Sequence, residues 1–295
     1  MITGVRRSGK SSILQLFKEY LLEQNTNEEN IIEINYEKFM FEELKDGKKL
    51  HKYIMDKIKD DSKVYILIDE VQEVEDWAKV INSLRVCLKA DIYVTGSNSR
   101  MFLGEHLTYL SGRYVELKVY PLSFKEFLFF KSYKKLNIEE AFNEYLRIGS
   151  FPAVSLTKNV ELIEAITAGL FDSIFSRDII LRGRIKDEGT FFKVAKFVIE
   201  NIVFLELLRR GYEVTVGKNL SYEVDFIAVK NTEPVYFQVS LTALEESTLN
   251  REMQSLSKIN DQYPKFLVTM DKIDLSNNGI KHLNLFDFLL DEENE

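Results

Sequence analysis

The sequence predicts an α/β protein in three parts: a parallel sheet with helices on both faces over residues 1–120, a helical subdomain over 121–197, and a smaller α/β domain over 198–295. Three observations carry that prediction. Apolar strand-like runs alternate with helical spacing up to about Tyr120, helical spacing alone follows, and strand-like runs joined by short polar turns return after residue 198. With 295 residues, 45% of them hydrophobic, the chain can bury more than one core at roughly 150 residues per domain.

The first part opens on "GVRRSGKSS" (4–12), after which Ile13, Leu14, Leu16, Phe17, Tyr20 and Leu21 recur at helical spacing. "IIEIN" (31–35) reads as a short strand, "LHKYIMDKI" (50–58) as a helix, and "VYILID" (64–69) as a continuous apolar strand of the kind buried on both faces. "WAKVINSLRVCL" (77–88) is helical, "DIYVTGS" (91–97) is a strand ending in a glycine turn, and "YVELKVY" (114–120) is a further strand. Strands alternating with helices need crossovers, so the sheet should be parallel and covered on both sides.

In the middle part, Ser123 with Glu126 in "SFKEF" forms a capping box and Asn137 with Glu140 in "NIEE" marks a second helix start. "RIGSFPAV" (147–154) reads as a loop from its glycine and proline, and "FSRDII" (175–180) resumes a helical rhythm. The last part reads as the helix "ENIVFLELLRR" stopped by Gly211, then the strands "YEVTV", "YEVDFIAV" and "VYFQVS" with hairpin turns at "VGKN" and "KNTEP". The helix "LNREMQSLSKI" and the strand "KFLVTMD" close the pattern.

Gly4, four residues, Gly9, Lys10 and Ser11 fit G-x-x-x-x-G-K-[ST] in full. Glycines let the backbone curl so that its amide hydrogens point at phosphate oxygens, Lys10 would reach the terminal phosphates, and the Ser11 hydroxyl would ligate magnesium. The expected nucleotide-contacting loop is therefore Gly4, Val5, Arg6, Arg7, Ser8, Gly9, Lys10, Ser11 and Ser12. Arg6 and Arg7 either add charge near the phosphates or lie exposed to solvent. The apolar strand that ends in Asp69 and Glu70 supplies the second half of such a site, the aspartate holding magnesium through water and the glutamate polarising the attacking water. Because "IIEIN" falls between the lysine loop and the aspartate strand in sequence, there is room for an extra strand between the two, and hydrolysis is expected as well as binding. Ser97 or Asn98, at the tip "TGSNS", would sense the terminal phosphate, with a plain turn as the alternative. Arg113 would supply positive charge to the transition state, in its own subunit or a neighbour's, with a solvated loop arginine as the alternative.

No apolar run reaches the ~18 residues of a membrane span. The start lacks a basic segment leading into an apolar one, and Cys87 is the single cysteine, so a cytoplasmic protein without a disulfide framework is expected. A net charge of −8 argues against a surface coated in phosphate-binding lysines; a local basic strip is compatible with it, so DNA is open as a partner without being implied. The sequence leaves open whether a homo-oligomer forms and which protein partner is served. His51, His106 and His282 share no metal-ligand spacing.

"GVRRSGKSS", "ILIDEVQEVEDWAKVINSLR", "VTGSNSRM" and "LSGRYVELKVYPLSFKEF" resemble the prokaryotic AAA-type P-loop ATPases that carry a C-terminal domain of unknown function with a restriction-endonuclease-like fold. The likeness covers nearly the whole chain. It implies ATP and magnesium as ligands and assigns Gly4, Gly9, Lys10, Ser11 and Ser12 to nucleotide and magnesium contact, Asp69 and Glu70 to magnesium and water, and Asn98 to sensing. It also implies that "YLRIGSFPAV" and "SRDIILRGRI" belong to a helical subdomain. Members have a longer N-terminus with a full strand before the glycine loop, where this chain has Met1, Ile2 and Thr3. A truncated start is therefore expected, with that central strand nearly absent and its neighbours left with unpaired backbone groups. Members also insert a winged-helix-like module where this chain passes from "GTFFKVAKFV" straight into "IENIVFLELLRRGYEV", which removes the segment best suited to reading DNA.

The helix and strand order of the last part resembles the endonuclease-like core, whose chemistry needs an acidic cluster holding magnesium beside a lysine. Glu200, Asp225 and Gln238 fall where metal ligands would be, and Ser240 falls where the lysine should be. A glutamine for a carboxylate and a serine for a lysine make the site degenerate, while Glu206 and Glu223 are expected to be solvated surface groups. The leading expectation is an ATPase coupled to a degenerate nuclease-like domain. A magnesium-dependent DNA nuclease controlled by ATP, and a nucleotide-binding interaction module without turnover, are the alternatives.

Overall fold

The computed structural model describes residues 1–97, 110, 112–131, 137–157, 162, 188–219 and 222–291. They fall into two compact units, Met1–Pro121 and Leu122–Glu295. Among the described residues no helix is long and apolar enough to cross a membrane.

In the first unit β1 (Ile2–Gly4), β2 (Ile31–Asn35), β3 (Val64–Asp69), β4 (Ala90–Ser97) and β5 (Leu117–Val119) form one sheet in the order β2-β3-β4-β1-β5. Every pairing is parallel. Helices α1 (Lys10–Glu23), α2 (Gly47–Lys57) and α3 (Trp77–Cys87) cover it. The pleat of β3 sends alternate side chains to opposite faces. Ile66 and Ile68 pack with Leu50, Ile54, Trp77 and Leu84 from α2 and α3, whereas Leu67 packs with Ile2 and Leu14 on the α1 side. All three β3 residues are fully buried, which explains why "VYILID" is continuously apolar. Asp46 caps α2 by accepting the N–H groups of Lys48 and Lys49, a pairing its short side chain makes only at a helix start.

The expected loss of the central strand is corrected. Ile2, Thr3 and Gly4 pair with Thr95, Gly96 and Ser97 on one side and with Leu117, Lys118 and Val119 on the other. The ladder is extended by one further bond, Leu117 N–H to Met1 O at 2.8 Å. Three residues suffice because β4 spends its first half, Ala90–Val94, on β3 and turns to β1 only from Thr95. The extra strand between the lysine loop and the aspartate strand is β4, and "IIEIN" is the edge strand.

In the second unit α4 (Phe124–Phe130), α5 (Ile138–Ile148), α6 (Pro152–Ser155) and α7 (Glu188–Arg209) precede β6 (Glu213–Asn219), β7 (Tyr222–Lys230), β8 (Glu233–Val239), α8 (Glu246–Ser257), β9 (Lys265–Thr269), β10 (Lys281–Asn284) and α9 (Leu285–Leu290). The sheet order is β10-β9-β8-β7-β6, antiparallel across β6, β7 and β8 and parallel across β8, β9 and β10. The capping box at α4 is complete: Ser123 Oγ accepts Glu126 N–H at 3.1 Å and Glu126 Oε2 accepts Ser123 N–H at 2.7 Å. Phe124, Phe127 and Phe142 share one core with Phe226, Phe237, Val268 and Phe286, each aromatic ring contributing on the order of 2–3 kcal/mol of burial. Residues 197 and 198 both lie within the single helix α7.

Three sequence expectations change in this unit. Glu206, expected on the solvated surface, is buried, with Arg210 Nε at 3.1 Å and Arg209 Nη1 at 3.5 Å as its ion partners. "VGKN" is not a turn: β6 runs through it to Asn219, with a register shift between Thr215 and Gly217. The strand β10 and helix α9 follow "KFLVTMD" and were not read from the sequence, although the apolar "LFDFLL" behind the capping Asn284 carries a signal for the helix. The "KNTEP" turn holds, with Asn231 and Thr232 both left-handed, as a two-residue hairpin loop requires.

Candidate nucleotide site

The loop between β1 and α1 leaves the sheet at the carboxyl edge of a parallel strand, where the ladder ends and backbone groups face outward. A side chain at Gly4 would put its Cβ 2.2 Å from Val119 O, so the loop can approach β5 only with a glycine there. Gly9 (φ 102°) and Arg7 (φ 63°) are left-handed, which curls the chain into the start of α1. Val5, Arg6 and Arg7 are exposed, as are Ser11 and Ser12 in the first turn of the helix.

Lys10 behaves differently. It is only 4% exposed, and its ammonium donates to Gly4 O at 3.0 Å and Val5 O at 2.9 Å. Burial lowers its pKa from the ordinary lysine value, the carboxylates of Glu70 and Asp69 oppose that shift, and Arg6 adds to it. Ser8 is buried in the same loop, and its hydroxyl oxygen has no hydrogen-bond partner among the described residues.

Asp69 and Glu70 end β3 two strands away. Asp69 is buried and accepts from Asn35 Nδ2 at 3.1 Å and from the Thr95 hydroxyl. Glu70 is left-handed (φ 58°); its N–H donates to Thr95 Oγ1 at 3.0 Å and its carboxylate accepts from Gln72 Nε2. Asn35, Thr95 and Gln72 were missed in the sequence. Asn35 and Thr95 carry a readable signal, a polar residue in the carboxyl half of a strand of the parallel sheet, whereas Gln72 carries none.

A family model described as an AAA domain matches residues 1–128. An uncharacterized protein of Haemophilus influenzae is 34% identical over 378 aligned positions, which cover 98% of this chain and 94% of that protein. The chain belongs to that protein's family, and its first 128 residues are an AAA domain, P-loop ATPase-like. The alignment is longer than the 295 residues of this chain, so the relative carries internal residues that this one lacks. An uncharacterized protein of Methanocaldococcus jannaschii is 30% identical over 221 positions, which cover 70% of this chain and 47% of that protein.

Within the AAA domain, Ser97 is paired with Gly4, so β4 leaves the sheet beside the loop. Asn98 lies outside the described residues. Arg113 is exposed, and its Nη1 donates to Asn82 Oδ1 on α3 at 3.2 Å.

In the second unit Glu200 on α7, Asp225 on β7 and Gln238 on β8 lie together with Lys196 and Glu252, two residues the sequence reading did not name. Lys196, one turn before Glu200, sends its ammonium to within 3.5 Å of Glu200 Oε1, 3.8 Å of Asp225 Oδ2 and 4.0 Å of Glu252 Oε2. Gln238 bridges the group, accepting Asp225 N–H at 3.2 Å and donating to Glu252 Oε2 at 2.7 Å. Ser240 turns away to the Thr242 carbonyl at 3.1 Å. Burial raises the pKa of Glu200 and pushes that of Asp225 up to about 6, against the pull of Lys196 and, at Asp225, of the Val239 N–H. Glu252 was legible: it shares the helical stripe of Leu249 and Leu256, a carboxylate on an apolar face. His51 and His282 bond to Ser83 and Thr269, and His106 lies outside the described residues.

Proposed function

We propose that this chain is a magnesium-dependent ATPase whose AAA domain binds ATP on the loop from Gly4 to Ser12. The observation that carries this reading is the buried Lys10 ammonium, held by two loop carbonyls in a loop whose buried Ser8 hydroxyl has no partner among the described residues. Both groups gain what they lack from a phosphate, whose oxygens accept from an ammonium, a hydroxyl and backbone amides at once.

In this reading Lys10 exchanges Gly4 O and Val5 O for the terminal phosphates, and the loop amides with the α1 N-terminus take the remaining phosphate oxygens. Ser11 and Asp69 would hold magnesium, which neutralises phosphate charge when bound. Glu70 accepts the proton of the attacking water, Asn98 senses the terminal phosphate, and Arg113 adds positive charge as the bond breaks. Cytoplasmic action fits the exposed free thiol of Cys87. The second unit we read as an endonuclease-like fold used for structure or binding. The glutamine at 238, already engaged through both amide atoms, supports that over DNA cleavage.

Steady-state turnover of ATP by the wild type, Lys10→Ala and Glu70→Gln tests this. Lys10→Ala abolishes binding, and Glu70→Gln retains binding while turnover falls by ~10²-fold or more. Undiminished turnover in Glu70→Gln removes Glu70 from its role, and undiminished turnover in Lys10→Ala removes the loop.

A further inference from the structure

We propose that Lys196 is the resident cation of the second unit, its ammonium standing where a magnesium-dependent nuclease of this fold would place a metal ion, so that this unit is closed by charge supplied from its own chain. The inference does not depend on the ATPase reading; it rests on the reading of the second unit as an endonuclease-like fold.

The geometry points to one centre reached from three elements. Glu200 comes from α7, Asp225 from β7 and Glu252 from α8, and Lys196 Nζ lies within 4.0 Å of an oxygen of each. Lys196 is itself on α7, at i,i+4 spacing from Glu200, which fixes it on the same helix face. The inner carboxylate oxygens are also bound by other donors: Asp225 Oδ2 by Val239 N–H at 2.8 Å, and Glu252 Oε2 by Gln238 Nε2 at 2.7 Å. Arg251 covers the other Glu252 oxygen at 2.8 Å from Nη2. Glu252 is 3% exposed and Gln238 4%, so the inner side of the cluster is dry, while Glu200, Asp225 and Lys196 on its outer side are partly exposed.

A magnesium ion wants six oxygen ligands near 2.1 Å in octahedral array, with several waters among them. Here the Lys196 ammonium already stands among the three carboxylates, at ion-pair distances of 3.5, 3.8 and 4.0 Å. Among the described residues no group of three or more acidic, histidine or cysteine side chains is disposed to hold a metal ion. The missing lysine at 240 and the missing carboxylate at 238 are thus matched by Lys196 and Glu252, and Lys196 with Arg251 offsets part of the charge of the three carboxylates.

The test is thermal unfolding of the full chain at neutral pH, followed by circular dichroism, for the wild type, Lys196→Met, Asp225→Asn and Lys196→Met/Asp225→Asn. Lys196→Met keeps the length of the side chain and removes its charge, and its midpoint should fall by roughly 4 °C or more. Asp225→Asn should raise the midpoint more in that background than in the wild type, recovering at least half of the loss, and should restore folding if Lys196→Met does not fold. A Lys196→Met midpoint equal to wild type, or a double variant no better than Lys196→Met, overturns the proposal. So does a wild-type midpoint that rises in millimolar manganese and stops rising in Asp225→Asn, since that would put a divalent ion where we put the ammonium.

Discussion

Thr95 joins the two acidic residues at the end of β3: its hydroxyl donates to Asp69 Oδ1 and accepts the Glu70 N–H at 3.0 Å. Fully buried on β4 and paired with Ile2 of β1, it ties the aspartate strand to the strand that carries the glycine loop. Thr95→Val keeps the shape and removes both bonds. We expect a loss of about 1–3 kcal/mol, because a carboxylate oxygen and a buried N–H lose their partner. Urea unfolding measures that loss, and ATP turnover should fall in the same variant.

Gly4 lies under Val119 O, where an added Cβ would come within 2.2 Å. Gly4→Ala must therefore push β1 away from β5, since the obstructing atom is backbone. The expected cost is about 3 kcal/mol or more, in the class of overpacked or strained sites. A midpoint of unfolding unchanged from wild type would refute the close approach.

Arg113 is exposed and bonded to Asn82, so Arg113→Ala should leave stability within about 0.5 kcal/mol. If it serves the transition state, turnover falls at least about tenfold. Mixing Arg113→Ala with Glu70→Gln separates the two placements. Turnover recovered in the mixture, but in neither variant alone, means that the arginine acts across a subunit boundary.

Much of the first unit was legible because its signals are local. The helix–strand alternation, the buried β3 and the glycine loop each follow from periodicity or steric need over fewer than ten residues. What escaped depends on contacts remote in sequence. A three-residue strand looks too short until β4 is seen to divide its length between β3 and β1. Glu206 looks like a surface charge until its i,i+4 partner Arg210 is seen to reach across to Phe288 O of α9. At the second cluster, Gln238 and Ser240 align with a motif and Glu252 stands out on the apolar stripe of α8, yet no local pattern connects them with the countercharge, Lys196 on α7.

Asp225 gives a pH signature. Its pKa is about 6 in the folded chain against an ordinary 3.8, so the folded state holds its proton longer than the unfolded state does. Stability from this group is therefore greatest below the ordinary value and is lost as pH rises towards about 6. Asp225→Asn removes that slope and should raise stability above the window by up to about 3 kcal/mol, as read from urea midpoints at a series of pH values. A parallel pH profile in wild type and variant would contradict it.

The central claim is that the loop around Lys10 receives a triphosphate. Titration calorimetry of the full chain with ATP and magnesium, beside Lys10→Ala, measures it directly. The account predicts saturable heat with one site per chain in the wild type and none in the variant; no heat in the wild type, or equal heat in both, would contradict it.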